Sequence, residues 1–350
     1  MRITRRTLLG AAAAAPLAGA VRAAALSVPT VDRLTLTILA DGTVSNFAQP
    51  VEVPGMRLAP PPRSLDYRRT LRAEFGYSVL AEAVQGERRI PILVDFGYTP
   101  EALANNMALL SVDPASFAAM VLSHGHYDHF GGMPAVLGKV ARGTPLFVGG
   151  EEAFCERLRG TTAGAPSFGR IDRPALAAAG IDVRVGGEPQ RVAGAGFTTG
   201  RIPFRSAEHP KVPSAMVPGE GCRRALLDPD RRGAELFGDD AVHELGTAFN
   251  LAGKGLVVIG SCSHRGIVNT VLRARAVSGV DKLFAVAGGF HLVPPQTPAD
   301  ALATLAMLRA LDPQYLFPGH CSGEAFIAPA LAELPGRVFR TVVGSRIELG

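Results

Sequence analysis

The chain of 350 residues contains no internal repeat, no coiled-coil heptad and no block of like charges. These absences exclude a repeat solenoid, a coiled coil and a charged tail. Most of the chain also lacks an excess of basic charge, because residues 1–25 hold four arginines and no acidic side chain. Without that segment the formal charge of +5 falls by four to +1, which gives no electrostatic case for a nucleic-acid partner.

The amino terminus lacks an apolar run suited to a membrane span, yet it has the layout of a secretory signal. MRITRRTLLGAAAAAPLAGAVRAAA has a basic start, an Ala/Gly/Leu stretch interrupted by Pro16, and small residues at its end. The pair Arg5 and Arg6 resembles a twin-arginine signal. We therefore expect a signal peptide at residues 1–25, transient contact with the twin-arginine export machinery, and a periplasmic or secreted protein without stable membrane insertion. A disordered start or a short anchor helix is the alternative.

Cysteine is scarce, with four in the chain, at positions 155, 222, 262 and 321. In an exported protein cysteines often pair in disulfides, whereas cysteines beside histidines are candidates for metal binding. Cys262 and Cys321 stand close to histidines, and Cys155 and Cys222 stand alone. The sequence leaves the connectivity open.

Apolar runs typical of strands alternate with helical patterns along residues 26–350, a stretch long enough for one large domain. Helices are predicted in PEALANNMALL, which begins at Pro100, and in EEAFCERL after the strand PLFVGG. GTAFNLAGKGLVVIGSCSH predicts a hairpin, and IVNTVLRARAVSG and PADALATLAMLRAL predict further helices. The alternation predicts an α/β fold in a single domain, residues 26–350.

Histidine is scarce as well, but three of the eight histidines fall within six positions, in VLSHGHYDHFGG. His124 and His126 follow an apolar run and share a face of an extended segment, and Asp128 and His129 come where the chain turns. Three imidazoles and a carboxylate this close would be costly to bury without partners, and a metal ion removes that cost. The spacing therefore predicts metal ligands, with a solvated polar loop as the alternative.

Three more apolar runs end at small residues and then present a histidine. LVVIGSCSH presents Cys262 and His264, LFAVAGGFH presents His291, and YLFPGHC presents His320. This repeated layout predicts that the side chains lie together at one edge of the sheets, where binding loops are found. Each histidine alone has a structural role as its alternative, but together with HGHYDH the pattern predicts that His264 and His320 bind metal.

HGHYDH resembles the metal-binding motif of the metallo-β-lactamase superfamily, whose members carry one or two metals at the edge of a β-sandwich. GHYDH, SCSHRGIVNT, GGFHL and PGHCSG also occur in the order found in one branch, similar to the dihydropterin-linked ribofuranosylaminobenzene 5′-phosphate synthases. The resemblance covers roughly residues 33–345. It implies an α/β fold of the metallo-β-lactamase-like αββα type, with two packed mixed sheets flanked by helices.

The resemblance also implies a ligand set for two metal subsites: His124, His126, Asp128, His129, His264 and His320. The further histidine that the superfamily usually has between the metal loop and the hairpin is not evident, and His209 in RSAEHP is named as its only candidate. Ser261 and Phe75 stand where the branch often has glycine and histidine, at positions expected to border the pocket. The substrate of the branch is therefore not carried over.

An imidazole-rich site with one carboxylate suits Zn²⁺, with iron or manganese as alternatives. We expect two zinc ions and a metal-bound hydroxide that attacks an ester, lactone, amide or phosphoester of a small-molecule substrate. Asp128 is the predicted catalytic residue that orients the hydroxide, and His291 is predicted to donate to a substrate oxygen or to bind a phosphate. The alternative is a non-catalytic or redox metal-binding protein on the same fold, with Cys262 and Cys321 close to the metal.

Overall fold

The structure is a computed structural model, and it describes residues 26–63, 66, 68–211 and 213–350. The predicted signal peptide, residues 1–25, lies outside the described residues. None of the helices in the described ranges has the length and apolar character needed to cross a membrane.

The strands of the described residues are β1 (Thr30–Val31), β2 (Arg33–Ala40), β3 (Val51–Val53), β4 (Met56–Ala59), β5 (Ser78–Gln85), β6 (Arg88–Val94), β7 (Ala119–Leu122), β8 (Pro145–Val148), β9 (Glu156–Leu158), β10 (Ser167–Gly169), β11 (Asp182–Val185), β12 (Arg191–Val192), β13 (Gly196–Thr198), β14 (Ala215–Val217), β15 (Phe237–Gly238), β16 (Thr247–Leu251), β17 (Gly255–Gly260), β18 (Leu283–Gly288), β19 (Tyr315–Pro318) and β20 (Arg346–Leu349). The α-helices are α1 (Pro100–Leu109), α2 (Tyr127–Phe130), α3 (Arg173–Ala178), α4 (Pro229–Arg232), α5 (Ile267–Ser278), α6 (Pro298–Leu311) and α7 (Glu324–Glu333).

Two large mixed sheets form the centre of the molecule. One has nine strands in the order β11-β8-β7-β6-β5-β2-β20-β4-β3, and the other has β12-β13-β16-β17-β18-β19 with β1 paired to β16. Within them β6, β7 and β8 run parallel, as do β17, β18 and β19. A small third sheet, β10-β9-β14-β15, lies apart from both.

Alternating burial explains why the two sheets pack face to face. In β2, Leu36 and Ile38 lie in the core between the sheets, while Leu39 packs against the outer helical layer that contains α1. In β17, Val257 faces the inter-sheet core and Val258 faces the layer of α5, α6 and α7. Side chains alternate across a strand, so strands that are apolar at every position bury both faces. The predicted αββα sandwich is confirmed.

The outer helices begin and end at residues suited to those positions. Thr99 accepts a hydrogen bond from the Ala102 N–H at 3.3 Å at the start of α1, and Pro100 follows as the first helical residue. Thr297 and Asp300 form a capping box on α6. Gly279 has a φ of 70° directly after α5, a left-handed conformation that glycine adopts without strain.

The helix predicted in EEAFCERL is wrong. The chain makes a short 3₁₀ turn, Glu151–Phe154, and then enters β9. The buried guanidinium of Arg157 donates to three backbone carbonyls within residues 152–155, which an α-helix would have used for its own N–H groups. Cys155 is also tied by a disulfide to Cys222, near the end of β14. These local carbonyl contacts and the disulfide, which spans 67 residues, together override the helical pattern.

The sequence did not predict α7, which follows the PGHCSG segment. Pro329 lies inside this helix, and a proline removes one helical hydrogen bond. Phe326, Ile327 and Ala330 are buried against the seven-stranded sheet's helical layer. Packing of this apolar face outweighs the unfavourable proline.

Candidate metal centre

The candidate site lies where the carboxyl ends of parallel strands from the two sheets meet. Asp95 follows β6 and His124 follows β7 in the nine-stranded sheet. His264, His291 and His320 follow β17, β18 and β19 in the other sheet. Parallel strands deliver their following residues to the same edge, so residues far apart in the chain become neighbours.

His124 and His264 form the first pair of candidate ligands. Their Nε2 atoms face each other at 3.1 Å, and both side chains are buried. Burial, reinforced by neighbouring histidines, holds the pKa of each imidazole well below its usual value, so both rings are neutral. The Ser123 hydroxyl donates to Asp95 at 2.6 Å and lies 2.9 Å from His124 Nδ1, which therefore donates to it and leaves a lone pair on Nε2.

His129 and His320 form the second pair, with Nε2 atoms 3.2 Å apart. One carboxylate oxygen of Asp128 lies 3.5 Å from the first Nε2 and 3.4 Å from the second. His129 Nδ1 bonds to Asp95 at 2.7 Å. Burial tends to lower the pKa of His129, but the carboxylates of Asp128 and Asp95 outweigh it and raise that pKa to about 9. Burial likewise tends to raise the pKa of Asp128, and the two histidines hold it well below its usual range.

His126 is held by a partner that the sequence analysis missed. Its Nε2 lies 2.8 Å from Asp239, which leaves Nδ1 as the nitrogen available to a metal. Asp239 also accepts from the buried Arg157 at 2.9 Å, and this cation keeps the pKa of Asp239 well below its usual range although burial raises it. The centroid of the His126 ring lies 4.5 Å from that of the His124 ring and 4.6 Å from that of the His264 ring. The six predicted ligands therefore form one cluster.

The prediction that His209 is the only candidate for the further histidine between the metal loop and the hairpin is wrong, because His243 lies there too. His243 is buried, and its Nε2 accepts from Gly125 N–H at 3.2 Å and from Arg157 at 2.9 Å. His243 thus holds the backbone of the metal loop in place at Gly125. His209 instead packs on Phe204, with ring centroids 4.7 Å apart, outside the ligand cluster.

Glu244 is a second supporting residue that the sequence analysis missed. Its buried carboxylate accepts the backbone N–H groups of His264 and Arg265 at 2.8 and 2.7 Å. Burial raises the pKa of Glu244 to about 7 against these two hydrogen bonds. The carboxylate fixes the backbone from which His264 projects.

His291 lies at the boundary between the ligand cluster and a cavity of about 150 Å³. Its ring centroid is 4.0 Å from that of His264, and its Nδ1 lies 3.4 Å from the sulfur of Cys262. Lys211 and His209 line the same cavity. The ring of Phe75, 56% exposed, lies 5.0 Å from the His320 ring. His291 therefore borders the site next to His264, and Phe75 borders it next to His320.

The donor set fits a metal ion. Two neutral imidazoles with facing Nε2 atoms can share one proton, whereas an ion placed between them uses both lone pairs. Second ring nitrogens held by acceptors, as in His124, His126 and His129, are typical of metal-binding histidines. Three groups of side chains each have their potential ligand atoms within 4.8 Å of one another. The groups are His124, Cys262 and His264; His129, Cys262 and His320; and Cys262, His291 and Cys321.

Replacing Asp239 by asparagine should lower metal affinity about 10–100-fold, because the outer partner of a metal-binding histidine sets its orientation and basicity. The side chain keeps its shape, and Arg157 keeps its carbonyl partners, so the fold should persist. Metal titration of folded protein checks this. The matched control is Asp240→Asn, since Asp240 pairs with Arg231 and not with His126. Equal affinity in both variants would contradict the role of Asp239.

Comparison with known proteins agrees with this architecture. A family model described as the metallo-β-lactamase superfamily matches residues 72–320. In Methanocaldococcus jannaschii, the 7,8-dihydropterin-6-methyl-4-(β-D-ribofuranosyl)-aminobenzene-5′-phosphate synthase is 28% identical over 267 residues, which is 73% of this chain and 84% of that protein. An uncharacterised protein of the same organism is 27% identical over 259 residues, 72% of this chain and 85% of that protein.

Among solved structures, the fold is similar to the crystal structure of Tm1679, a metal-dependent hydrolase of the β-lactamase superfamily. The TM-score is 0.66 at 20% identity, and the match covers 89% of this chain and 98% of that chain. At this identity the likeness supports the fold, and the matched family model spans the metal loop and reaches His320. The predicted relationship is confirmed: the chain belongs to the metallo-β-lactamase superfamily, and within it resembles the branch of the ribofuranosylaminobenzene phosphate synthase.

Proposed function

We propose that the protein is an exported metal-dependent hydrolase of a small-molecule ester, lactone, amide or phosphoester. One observation carries the proposal: two facing pairs of buried histidines lie together at the strand-end edge of the sheets, and the buried carboxylate of Asp128 faces the second pair. Imidazole and carboxylate ligands suit Zn²⁺, with iron and manganese as alternatives. The arrangement supports two ions in each chain.

The six ligands divide between two subsites. His124, His126 and His264 would hold one ion, and Asp128, His129 and His320 the other. Zinc bound in this way would lower the pKa of a bound water to around 7 and polarise a carbonyl or phosphoryl oxygen. The side chains around the ions would orient the attacking water and bind the substrate.

Asp128 is the proposed catalytic carboxylate. It is 6% exposed and stays ionised, because His129 and His320 hold its pKa low. An ionised carboxylate can accept a hydrogen bond from the attacking water and orient a lone pair toward the substrate. Among the described residues, no other carboxylate lies within 4 Å of the Nε2 atoms of His129 and His320.

His291 is the proposed donor to the substrate. Its Nδ1 is next to the Cys262 sulfur, so Nε2 is the nitrogen left for a ligand in the cavity. An imidazole N–H there can donate to a substrate oxygen or to a phosphate. Lys211 lines the same cavity, although its ammonium pairs with Asp300 at 2.6 Å. The cavity thus favours substrates with an oxyanion or a carbonyl group.

Hydrolysis is our proposal for this chain and is not transferred from the M. jannaschii relative, which is named as a synthase. Phe75 contacts His320 at the site, and Ser261 is buried beside Cys262, which supports a substrate different from that of the branch. A non-catalytic metal-binding protein is the second candidate. The close group of Cys262, His291 and Cys321 favours it.

The hydrolase proposal is tested by a panel of ester, lactone and phosphodiester probes. Protein stripped by a chelator, the same sample reloaded with Zn²⁺, and reloaded His291→Ala protein are assayed together. We expect turnover only in reloaded samples, with His291→Ala reduced about 10²–10⁴-fold if the ring acts as a general acid. Absence of turnover in reloaded wild-type protein across the panel would favour the metal-binding protein instead.

Export is the second part of the proposal, supported by TRRTLLG and by the Cys155–Cys222 disulfide, which is typical of oxidising compartments. Changing Arg5 and Arg6 together to lysine should retain the protein in the cytoplasm, because a twin-arginine signal requires both arginines. Fractionation of producing cells measures this, with Arg2→Lys as the matched control that keeps the pair. Normal export of the double variant would contradict a twin-arginine signal.

A further inference from the structure

We propose that the cavity beside His264 and His291 holds the short, uncharged acyl group of a carbonyl substrate, and this inference rests on the proposed hydrolase. It selects esters, lactones or amides of small neutral acids over substrates whose acyl group ends in a carboxylate or a phosphate. The size of the cavity, the charges that line it and its apolar walls support this choice.

The cavity lies directly beside the candidate metal ligands and is small. His264 and His291 both line it, and their ring centroids lie 4.0 Å apart. Its volume of about 150 Å³ is below the roughly 300–1,000 Å³ of sites that take drug-sized ligands. A substrate whose carbonyl group reaches these histidines can therefore place only a small group in the cavity.

The histidine side of the cavity offers hydrogen bonds to an oxygen atom. His264 Nδ1 is buried and has no hydrogen-bond partner among the described residues. Because His264 Nε2 faces His124 at 3.1 Å, Nδ1 carries the proton of the neutral ring whenever Nε2 is a ligand atom. An N–H group at this position, together with Nε2 of His291, suits the carbonyl oxygen of an ester, lactone or amide.

The charged residues that line the cavity disfavour an anionic acyl group. They are two carboxylates, those of Glu208 and Asp300, and one ammonium, that of Lys211. The ammonium pairs with Asp300 at 2.6 Å, and Asp300 is fixed in the capping box of α6. An anion that drew Lys211 to itself would leave the Asp300 carboxylate facing it. A carboxylate at the end of the acyl group would therefore meet net negative charge.

The amino terminus of α5, which meets the cavity at Gly266, is already occupied by Glu208. The Glu208 carboxylate accepts the N–H groups of Val268 and Asn269 at 2.9 and 3.3 Å and the hydroxyl of Thr304 at 3.1 Å. Free N–H groups of this kind are what binds anions at the start of a helix. An internal carboxylate that takes them excludes a second anion, and with its oxygens engaged it offers little to a cation.

Apolar side chains complete the walls of the cavity. Phe290 and Leu292 are buried on the side that follows β18. Ala303 and Met307 lie one turn apart on the face of α6 that lines the cavity. Such walls favour alkyl carbons, and one methylene in a hydrophobic pocket changes specificity by about 10–200-fold. A larger side chain in place of Ala303 should narrow the cavity.

Binding of two ketones to Zn²⁺-loaded protein tests the proposal without hydrolysis. Pentan-2-one and levulinate share a methyl ketone and a chain of the same length, which ends in a methyl group in the first and in a carboxylate in the second. By saturation-transfer NMR, pentan-2-one should bind wild-type protein at least about tenfold more tightly than Ala303→Phe, which fills the space of its alkyl chain. Levulinate should bind both proteins equally, because an unpaired carboxylate is costly to bury in the cavity. The matched control is Leu302→Phe, since Leu302 is 49% exposed and lies outside the cavity lining.

Turnover of 4-nitrophenyl esters gives a second readout. The acetate and the butyrate differ by two methylene groups, which the cavity would contact. Wild-type protein should therefore hydrolyse the butyrate with a kcat/KM at least about tenfold higher than that for the acetate. Ala303→Phe should bring the two values together, and Leu302→Phe should retain the wild-type ratio.

Two results would overturn the proposal. The first is levulinate that binds as tightly as pentan-2-one and loses this binding in Ala303→Phe, and the second is pentan-2-one binding and an ester ratio that Ala303→Phe leaves unchanged. If Ala303→Phe fails to fold, the wild-type preference between butyrate and acetate decides. Pentan-2-one binding that Ala303→Phe removes, without hydrolysis of any ester, would contradict the proposed hydrolase and leave the ligand class of the cavity intact. Ester turnover without a preference for the butyrate would contradict this inference alone.

Discussion

Asp128→Asn is expected to lower turnover on ester or phosphodiester probes at least about a hundredfold with metal in excess. The amide cannot accept the proton of the attacking water as a carboxylate does, and its NH₂ group misdirects the nucleophile. General-base and positioning roles of this kind contribute about 10²–10⁴ in rate, or roughly 3–5 kcal/mol of transition-state stabilisation. The protein should remain folded, because Asp128 lies in α2 at the sheet edge and outside the three apolar cores.

The control for Asp128→Asn is Asp113→Asn. Asp113 caps a short 3₁₀ helix through Ala115 N–H and lies outside the ligand cluster. This variant should keep turnover within a small factor of the parent. If Asp128→Asn keeps full turnover at saturating metal, the carboxylate serves only to neutralise the ion, and its catalytic role is wrong.

His264→Ala is expected to lower the affinity of its subsite for metal at least about a hundredfold. Loss of an outer partner alone lowers metal affinity about 10–100-fold, and loss of a direct ligand exceeds that. His264 and His124 lie 140 residues apart in the chain, so their common subsite exists only in the folded protein. Elemental analysis after dialysis should find about one metal equivalent fewer than in the parent.

His209→Ala is the matched control for His264→Ala, because His209 lines the adjacent cavity but lies outside the ligand cluster. It should retain the parent's metal content. Equal metal content in His264→Ala and the parent would remove His264 from the ligand set.

Much of the fold could be predicted because its signals are local. Strands such as β2 and β17 are continuous apolar runs, and the hairpin between β16 and β17 turns at Gly253 as its glycines predict. The prediction failed at residues 151–158, where the carbonyl contacts of Arg157 and the Cys155–Cys222 disulfide decide the conformation. The disulfide joins positions 67 residues apart, and Arg157 also pairs with Asp239, 82 residues away, so no local pattern reveals this conformation.

The candidate ligands could be predicted because each histidine follows an apolar strand, which marks it in the sequence. The residues that hold these candidate ligands in place could not be predicted. Asp239 contacts His126 across 113 residues, and His243 contacts Gly125 across 118. Both lie in DDAVHEL, a segment with no strand or helix pattern before the hairpin. A buried carboxylate or imidazole in such a segment is recognised only once its partners are known.

The measurement that tests the central claim most directly is the metal content of protein purified without added metal. Six candidate ligands that are mostly buried and held by outer partners lead us to expect about two equivalents in each chain, with zinc in the majority. Those equivalents should fall in His264→Ala and persist in His209→Ala. Parent protein that contains no metal, and binds none when titrated with Zn²⁺, would contradict the metal centre.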